Sequence, residues 1–350
     1  MNLPTGHYPL FVFLNILIGL ILSLVLGQVA IWFARRVHLM DLPGALPHKR
    51  HTTPTPLAGG LTVVIALMVG GLVFNLPMVK QLWTVFLPSL IIFGVGLWDD
   101  FKRLPPWVKF VGQTIATILL MSLGTYVQII PYQFLNLPGH SNLIVNWLIT
   151  FIWVIGMTNA FNFVDSMDGL VIGLSGIAVA FLVLVTLDST QTILLQLLTL
   201  LLGVCAGLFF YNLTPARLFI GDSGAQTIGF LLASVAILYT PENYPQAASW
   251  FLPILVLGVP IFDTCLVFFS RLRHREPVYH AGRNHTYHRL VALGLPSTHA
   301  VAVMHIAAIA LGCLAFIALN LAPIWANILF GLALLAGFLV YLFLERKRNE

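Results

Sequence analysis

Asn159-Ala-Phe-Asn162-Phe-Val-Asp165-Ser-Met-Asp168-Gly-Leu170 is a polar knot in a chain that is otherwise close to continuous hydrocarbon. Two carboxamides and two carboxylates recur in it at intervals of three. On a helix that spacing puts all four along one slowly turning edge. Apolar blocks run into the knot and out of it. Carboxylates at the border of an apolar span are costly to desolvate, so they call for a partner or a task.

The composition around the knot sets the class. Of 350 residues, 59% are hydrophobic and only 8% charged, with a mean hydropathy of +0.94. A soluble domain carries about 25% charged residues. The chain is therefore expected to be an all-α polytopic membrane protein, one integral domain over 1–350. Spans need roughly 20 apolar residues each. About eleven stretches qualify, near 9–34, 57–76, 82–98, 107–129, 143–161, 169–187, 191–212, 218–239, 249–270, 298–320 and 323–344. No basic segment precedes the first, which reads as a retained span. Gly294 and Pro296 stop the segment before the tenth, which Ser297 or Thr298 can cap. Cys205, Cys265 and Cys313 lie apart in apolar runs. They form no disulfide framework or zinc pattern and read as small core residues.

Basic residues orient the spans. Arg35, Arg36, Lys49, Arg50, Lys102, Arg103, Lys109, Arg217, Arg271, Arg273, Arg275, Arg283, Arg289, Arg346, Lys347 and Arg348 fall on one side, which is 16 of the 17; Lys80 alone falls on the other. This predicts an outside N-terminus and a cytoplasmic C-terminus. It also explains a pI near 9.2 with no nucleic-acid partner. Asp41, Asp99, Asp100, Asp165, Asp168, Asp222 and Glu276 share the cytoplasmic side. Carboxylates contribute little to orientation, so their clustering points to a site on the cytoplasmic face.

Each further motif has two readings. Asp99-Asp100 ends the third span, where paired carboxylates hold a hard cation or simply face solvent beside Lys102 and Arg103. Asp222, in Phe219-Ile-Gly-Asp-Ser-Gly224, lies between glycines that admit a phosphate or metal, or it caps a helix. His280, Arg283, His285, His288 and Arg289 suit a cradle for phosphoryl oxygens or a loop on anionic headgroups. His51, in Pro47-His-Lys-Arg-His51, precedes Pro56-Leu-Ala-Gly-Gly60 in a rigid basic loop suited to anions. Lys109, one turn inside the fourth span, needs a partner, and Asp263 within the ninth is functional or tied to a neighbouring helix. His305 reads as an inert, satisfied histidine.

Taken together these blocks resemble the polyprenyl-phosphate N-acetylhexosamine-1-phosphate transferases of glycosyltransferase family 4, over roughly His48 to Leu290. The blocks are His51 with Pro56-Leu-Ala-Gly-Gly60; Asp99-Asp100 with Lys109 and Gln113; Asn159 to Leu170; Leu218-Phe-Ile-Gly-Asp222; and Arg283-x-His285-x-x-His288-Arg-Leu290, with Pro260-Ile-Phe-Asp263-Thr also fitting. The third block is most similar to the bacterial undecaprenyl-phosphate N-acetylglucosaminyl 1-phosphate branch. Tyr287, Gly282 and Ser166 depart from the family, which usually has a histidine, an acid and a glycine there.

The resemblance implies transfer of a hexosamine-1-phosphate, GlcNAc-1-phosphate for preference, from a UDP-sugar to undecaprenyl phosphate at the start of a cell-envelope glycan. It implies Mg²⁺, with Mn²⁺ as a substitute, on Asp222 and Asp100; catalytic roles for Asp99, Asp100, His285 and His288; and substrate contacts from Asn159, Asn162, Asp165, Asp168, Lys109, Arg283 and His51. Membrane lipid is a partner and a homodimer is possible. Other readings are a UDP-muramoyl-pentapeptide phosphotransferase, a transporter and a UDP-sugar-binding protein without turnover. Asp165→Asn and Asp168→Asn are each expected to abolish transfer in a purified-protein assay while membrane insertion stays intact. Normal turnover in both would reduce the knot to helix capping.

Overall fold

A computed structural model of the protein describes residues 8–43, 53–73, 80–128, 141–187, 189, 191–240, 243–277 and 284–348. These are almost wholly helical. In chain order they form α1 (Tyr8–Arg36), β1 (Met40–Asp41), β2 (Thr55–Pro56), α2 (Gly59–Val73), α3 (Lys80–Lys102), α4 (Pro106–Ser122), α5 (Ser141–Val164), α6 (Leu170–Thr186) and α7 (Thr192–Asn212). There follow α8 (Gly221–Leu238), α9 (Gln246–Ser249), α10 (Leu252–Val256), α11 (Gly258–His274), α12 (Thr286–Ala292), α13 (Ser297–Leu319) and α14 (Pro323–Arg348). Lipid offers the backbone no hydrogen bonds, so a helix, which pairs its own, is the form such sequences take. Exposed side chains such as Phe13, Ile306, Leu335 and Phe338 are then the lipid-facing surface.

Seven of the helices are long and apolar enough to cross a membrane, or eight if a bent pair counts as one. Each stretch read as a span contains a helix among the described residues, but α2, α4 and α6 run only 15, 17 and 17 residues. The stretch near 249–270 is not continuous. Gln246–Val256 and Gly258–His274 meet at 68°. Pro260 has no N–H to give the Val256 carbonyl, so the helical ladder lapses there.

The helices wrap around α8, the most enclosed of the long apolar ones, while α14 is the most exposed. α8 packs on α2, α3 and α5; α1 lies on α7; α6 lies between α7 and α13. A second small cluster gathers Val164, Leu170, Leu174, Val259, Tyr287, Ala300, Met304 and Ala308. It seats α12 between the end of α5 and α13. Cys205 is a core residue as expected, but Cys265 and Cys313 are exposed on the apolar surface. Ser297 is already helical and Pro296 precedes α13 with no side-chain cap, so the expected Ser or Thr cap is not formed.

Glycines set the closest approach. The Phe219 amide donates to the Pro56 carbonyl, and the Gly59 and Gly60 amides donate to the Phe219 and Ile220 carbonyls. A Cβ on Gly60 would lie 2.6 Å from the Gly224 amide nitrogen, and one on Gly59 2.7 Å from Ile220 Cα. The loop before α2 is thereby fixed on the start of α8. A Cβ on Gly94 of α3 meets nothing within 4 Å. Gly60→Ala is therefore expected to cost about 1–3 kcal/mol, read as a lower melting midpoint in detergent, and Gly94→Ala to leave the midpoint unchanged.

Candidate active site

Three helix ends meet at Lys109. Its ammonium donates to Asp99 Oδ2 of α3 at 2.9 Å and to Asp222 Oδ2 of α8 at 2.7 Å. Lys109 lies in the first turn of α4, which Pro105 and Pro106 start abruptly. The costly charge thus has two partners. Asp99 is buried, and its other oxygen accepts the Leu104 amide at 2.6 Å. The alternative reading of a solvated helix end beside Lys102 and Arg103 gives way to a pairing with Lys109.

Asp100 has a different task. Its two oxygens accept the amides of Asp222 and Ser223 at 2.8 and 3.1 Å. The first amides of a helix lack intrahelical partners and attract negative charge. A carboxylate at the unfavourable C-terminal end of α3 is thereby accommodated by the favourable N-terminal end of α8. Gly221 at φ +73° makes this possible, since a Cβ there would sit 2.8 Å from Asp100 Oδ2. Asp222 itself lies in the first turn of α8 and is not its cap.

The knot reaches this cluster from α5. Asn159 and Gln113 exchange hydrogen bonds at 2.8 and 3.2 Å. Gln113 also donates to Gln226 Oε1 at 2.9 Å, and Gln226 reaches Asp222 at 3.5 Å. Asn162 also approaches the Asp222 carboxylate. Asp165 and Asp168 are not on the same helical edge, because α5 ends at Val164. The Ser166 amide turns back to the Val164 carbonyl, and Gly169 is left-handed at φ +76°. Asp168 lies in the turn that follows, where it accepts the Ala216 amide at 3.0 Å. Asn212 bridges that turn to the loop before α8, accepting from the Gly169 amide at 3.0 Å and donating to the Leu218 carbonyl at 2.9 Å.

The histidines approach from the other flank. His285 Nδ1 lies 2.7 Å from Asp263 Oδ2, and the Thr286 amide donates to Asp263 Oδ1 at 2.6 Å. Asp263 therefore both orients His285 and caps α12. The His285 ring lies 6.1 Å from Phe163 and 6.4 Å from His288, centroid to centroid. Tyr287, at the position where the family usually has a histidine, is 1% exposed within the apolar cluster. His305 Nε2 meets the Leu170 carbonyl at 3.3 Å, a satisfied intramembrane histidine as expected. His51 and Arg283 lie outside the described residues.

Sequence reading missed Gln226 and Asn212. Gln226 follows Asp222 by four residues, the helical spacing that puts both on one face, and this was the available signal. Nothing local to Asn212 marks it, because its partners are 43 and 6 residues away. No group of three or more His, Cys, Asp or Glu side chains suited to a metal occurs among the described residues. The candidate ligands at Lys109 are the carboxylate oxygens of Asp99 and Asp222, because Gln226 turns its NH2 to Asp222 and its oxygen to Gln113. Such a set suits a hard ion that keeps several waters and takes one or two carboxylates.

Known proteins resemble this chain in the same region. Residues 82–240 match the sequence family described as Glycosyl transferase family 4. The "Probable undecaprenyl-phosphate N-acetylglucosaminyl 1-phosphate transferase" of Bacillus subtilis (strain 168) is 28% identical over 315 residues, 89% of this chain and 86% of that one. The "Decaprenyl-phosphate N-acetylglucosaminephosphotransferase" of Mycobacterium leprae (strain TN) is 25% identical over 87% of this chain and 84% of its own. A "Phospho-N-acetylmuramoyl-pentapeptide-transferase" of Levilactobacillus brevis is 31% identical over 54% of this chain and 62% of its own. A multi-helix membrane fold with an acid, amide and lysine cluster at its helix ends is thus that of a membrane transferase. Residues 82–240 carry the similarity to glycosyl transferase family 4, and the relatives named as phosphotransferases support an enzyme of that kind.

Lys109→Met leaves Asp99 and Asp222 facing each other without a counter-charge. It is expected to destabilise the protein by about 1–3 kcal/mol and to lower turnover at least tenfold. Adding Asp99→Asn is expected to restore most of the melting midpoint in detergent and none of the turnover.

Proposed function

We propose that the chain transfers N-acetylhexosamine-1-phosphate, GlcNAc-1-phosphate for preference, from a UDP-sugar to undecaprenyl phosphate. The products are undecaprenyl-diphospho-sugar and UMP, and the step starts a cell-envelope glycan. The observation that carries this reading is Lys109 clasped by Asp99 and Asp222, with Asn162 on the same carboxylate. The bacterial relatives named for N-acetylglucosamine match along most of their length, which supports that sugar over muramoyl-pentapeptide.

A phosphate oxygen of the lipid attacks the sugar-bound phosphorus. A new P–O bond forms there, and the bond to the bridging oxygen of UMP breaks. Both reactants are anions, so repulsion is the first barrier. Asp222, with Asp99 and Asp100 beside it, would hold Mg²⁺, which neutralises and orients diphosphate oxygens when bound. A phosphate monoester has a second pKa of about 6, so the nucleophile needs little deprotonation near neutrality. Asp100, with both oxygens receiving amide hydrogens, is suited to positioning rather than to proton abstraction. Lys109, His285 and His288 supply donors to the phosphoryl oxygens, and Arg283 and His51 join them in this reading. Asn159, Asn162, Asp165 and Asp168 shape the donor site, where amides read uracil or N-acetyl groups.

In this reading the eleven helical stretches cross an inner membrane, with the N-terminus outside and the site on the cytoplasmic face. The strongly one-sided basic residues support that orientation. UMP release is expected only when UDP-GlcNAc, undecaprenyl phosphate and Mg²⁺ are all present. Release that needs no lipid phosphate, or turnover only with UDP-muramoyl-pentapeptide, would overturn the assignment.

A further inference from the structure

The last helix carries a buried acid that nothing in the reaction uses. Glu345 of α14 is 1% exposed, four residues from Tyr341 along a helix otherwise turned largely outward. Its Oε2 receives Arg289 Nη1 at 2.7 Å. Its Oε1 receives the Ser270 hydroxyl at 3.2 Å and lies 2.8 Å from His274 Nε2. One carboxylate thus joins α11, α12 and α14.

Arg289 carries the connection to the histidines. Its Nε donates to the Asn284 carbonyl at 3.0 Å, and its Nη1 also reaches the Leu344 carbonyl at 3.2 Å. Asn284 immediately precedes His285, and Asn284 Nδ2 is held in turn by Glu276 at 3.3 Å. α12 is only seven residues long, too short to be stable by itself. It is gripped on one side by Asp263, which orients His285, and on the other by Arg289 and Glu345. Buried ion pairs are poor stabilisers beside an apolar packing of equal volume. This one also leaves Arg289 Nη2 buried without a hydrogen-bond partner among the described residues. Fixing geometry accounts for such a pair better than adding stability does.

We propose that Glu345 and Arg289 are positioning residues, which set the placement of His285 and His288 at the phosphoryl-transfer site from outside it. The inference rests on the function proposed above for those histidines. Steady-state kinetics and melting midpoints of the full-length protein test it, together with hydrogen–deuterium exchange of the 284–293 segment without substrate. Glu345→Gln is expected to lower kcat about tenfold, with KM for UDP-GlcNAc within twofold of the parent and faster exchange in 284–293. The apolar pair Arg289→Met with Glu345→Leu is expected to keep the parental midpoint and still lose at least tenfold in kcat. Parental kcat in that stable pair, or unchanged exchange in both variants, would overturn the proposal. Absence of turnover in the parent protein would instead overturn the proposed function, and the exchange arm would still decide whether Glu345 holds the histidine segment.

Discussion

Two carboxylates on different helices close on one ammonium from a third, and the rest of the architecture serves to make that tolerable. Asp99 and Asp100 stand at the C-terminal end of α3, where the helix field disfavours acids. They persist because each has been given something positive. Asp99 has Lys109 and one backbone amide, and Asp100 has the first amides of α8. α8 must therefore start within hydrogen-bond reach of where α3 ends. The glycines of α2, α3 and α8 permit that spacing, since side chains on Gly60, Gly96 or Gly221 would collide with backbone or carboxylate atoms of the same junction. Packing and chemistry here are one constraint. Removing a glycine moves an acid.

The fold class was legible from composition because lipid leaves a continuous apolar chain few options besides helices. Individual helix ends were less so. A period of three in Asn159, Asn162, Asp165 and Asp168 cannot say where the helix stops, and α5 ends at Val164, before Asp165 and Asp168. The bend at Leu257 hangs on Pro260, which is visible in the sequence but reads equally as an N-terminal helical proline. The short pairing of Met40–Asp41 with Thr55–Pro56 had no sequence signal, as two residues per strand are too few for a period.

The site was legible as a set of blocks and not as a set of contacts. Lys109 announced itself by cost, because a charge inside an apolar span needs an answer. Which acids answered could not be read, since Asp222 lies 113 residues away. Tyr287 shows the reverse case. It stands in a polar motif, and its ring is buried in the apolar cluster with Val164, Leu174 and Met304. Residue type describes what a side chain can do, and the neighbouring helices decide which of those things it does.

Asn212 has a consequence for the proposed donor site. Its one amide group holds the Gly169 end of the knot and the Leu218 end of the loop before α8, while Asp168 takes the Ala216 amide of the same loop. Two backbone segments from opposite ends of α6 and α7 are thereby stitched into a single floor during folding. Whatever lies on that floor need not freeze either segment in order to bind. The entropy of ordering was settled when the chain folded, so affinity there reflects contacts made rather than loops tamed.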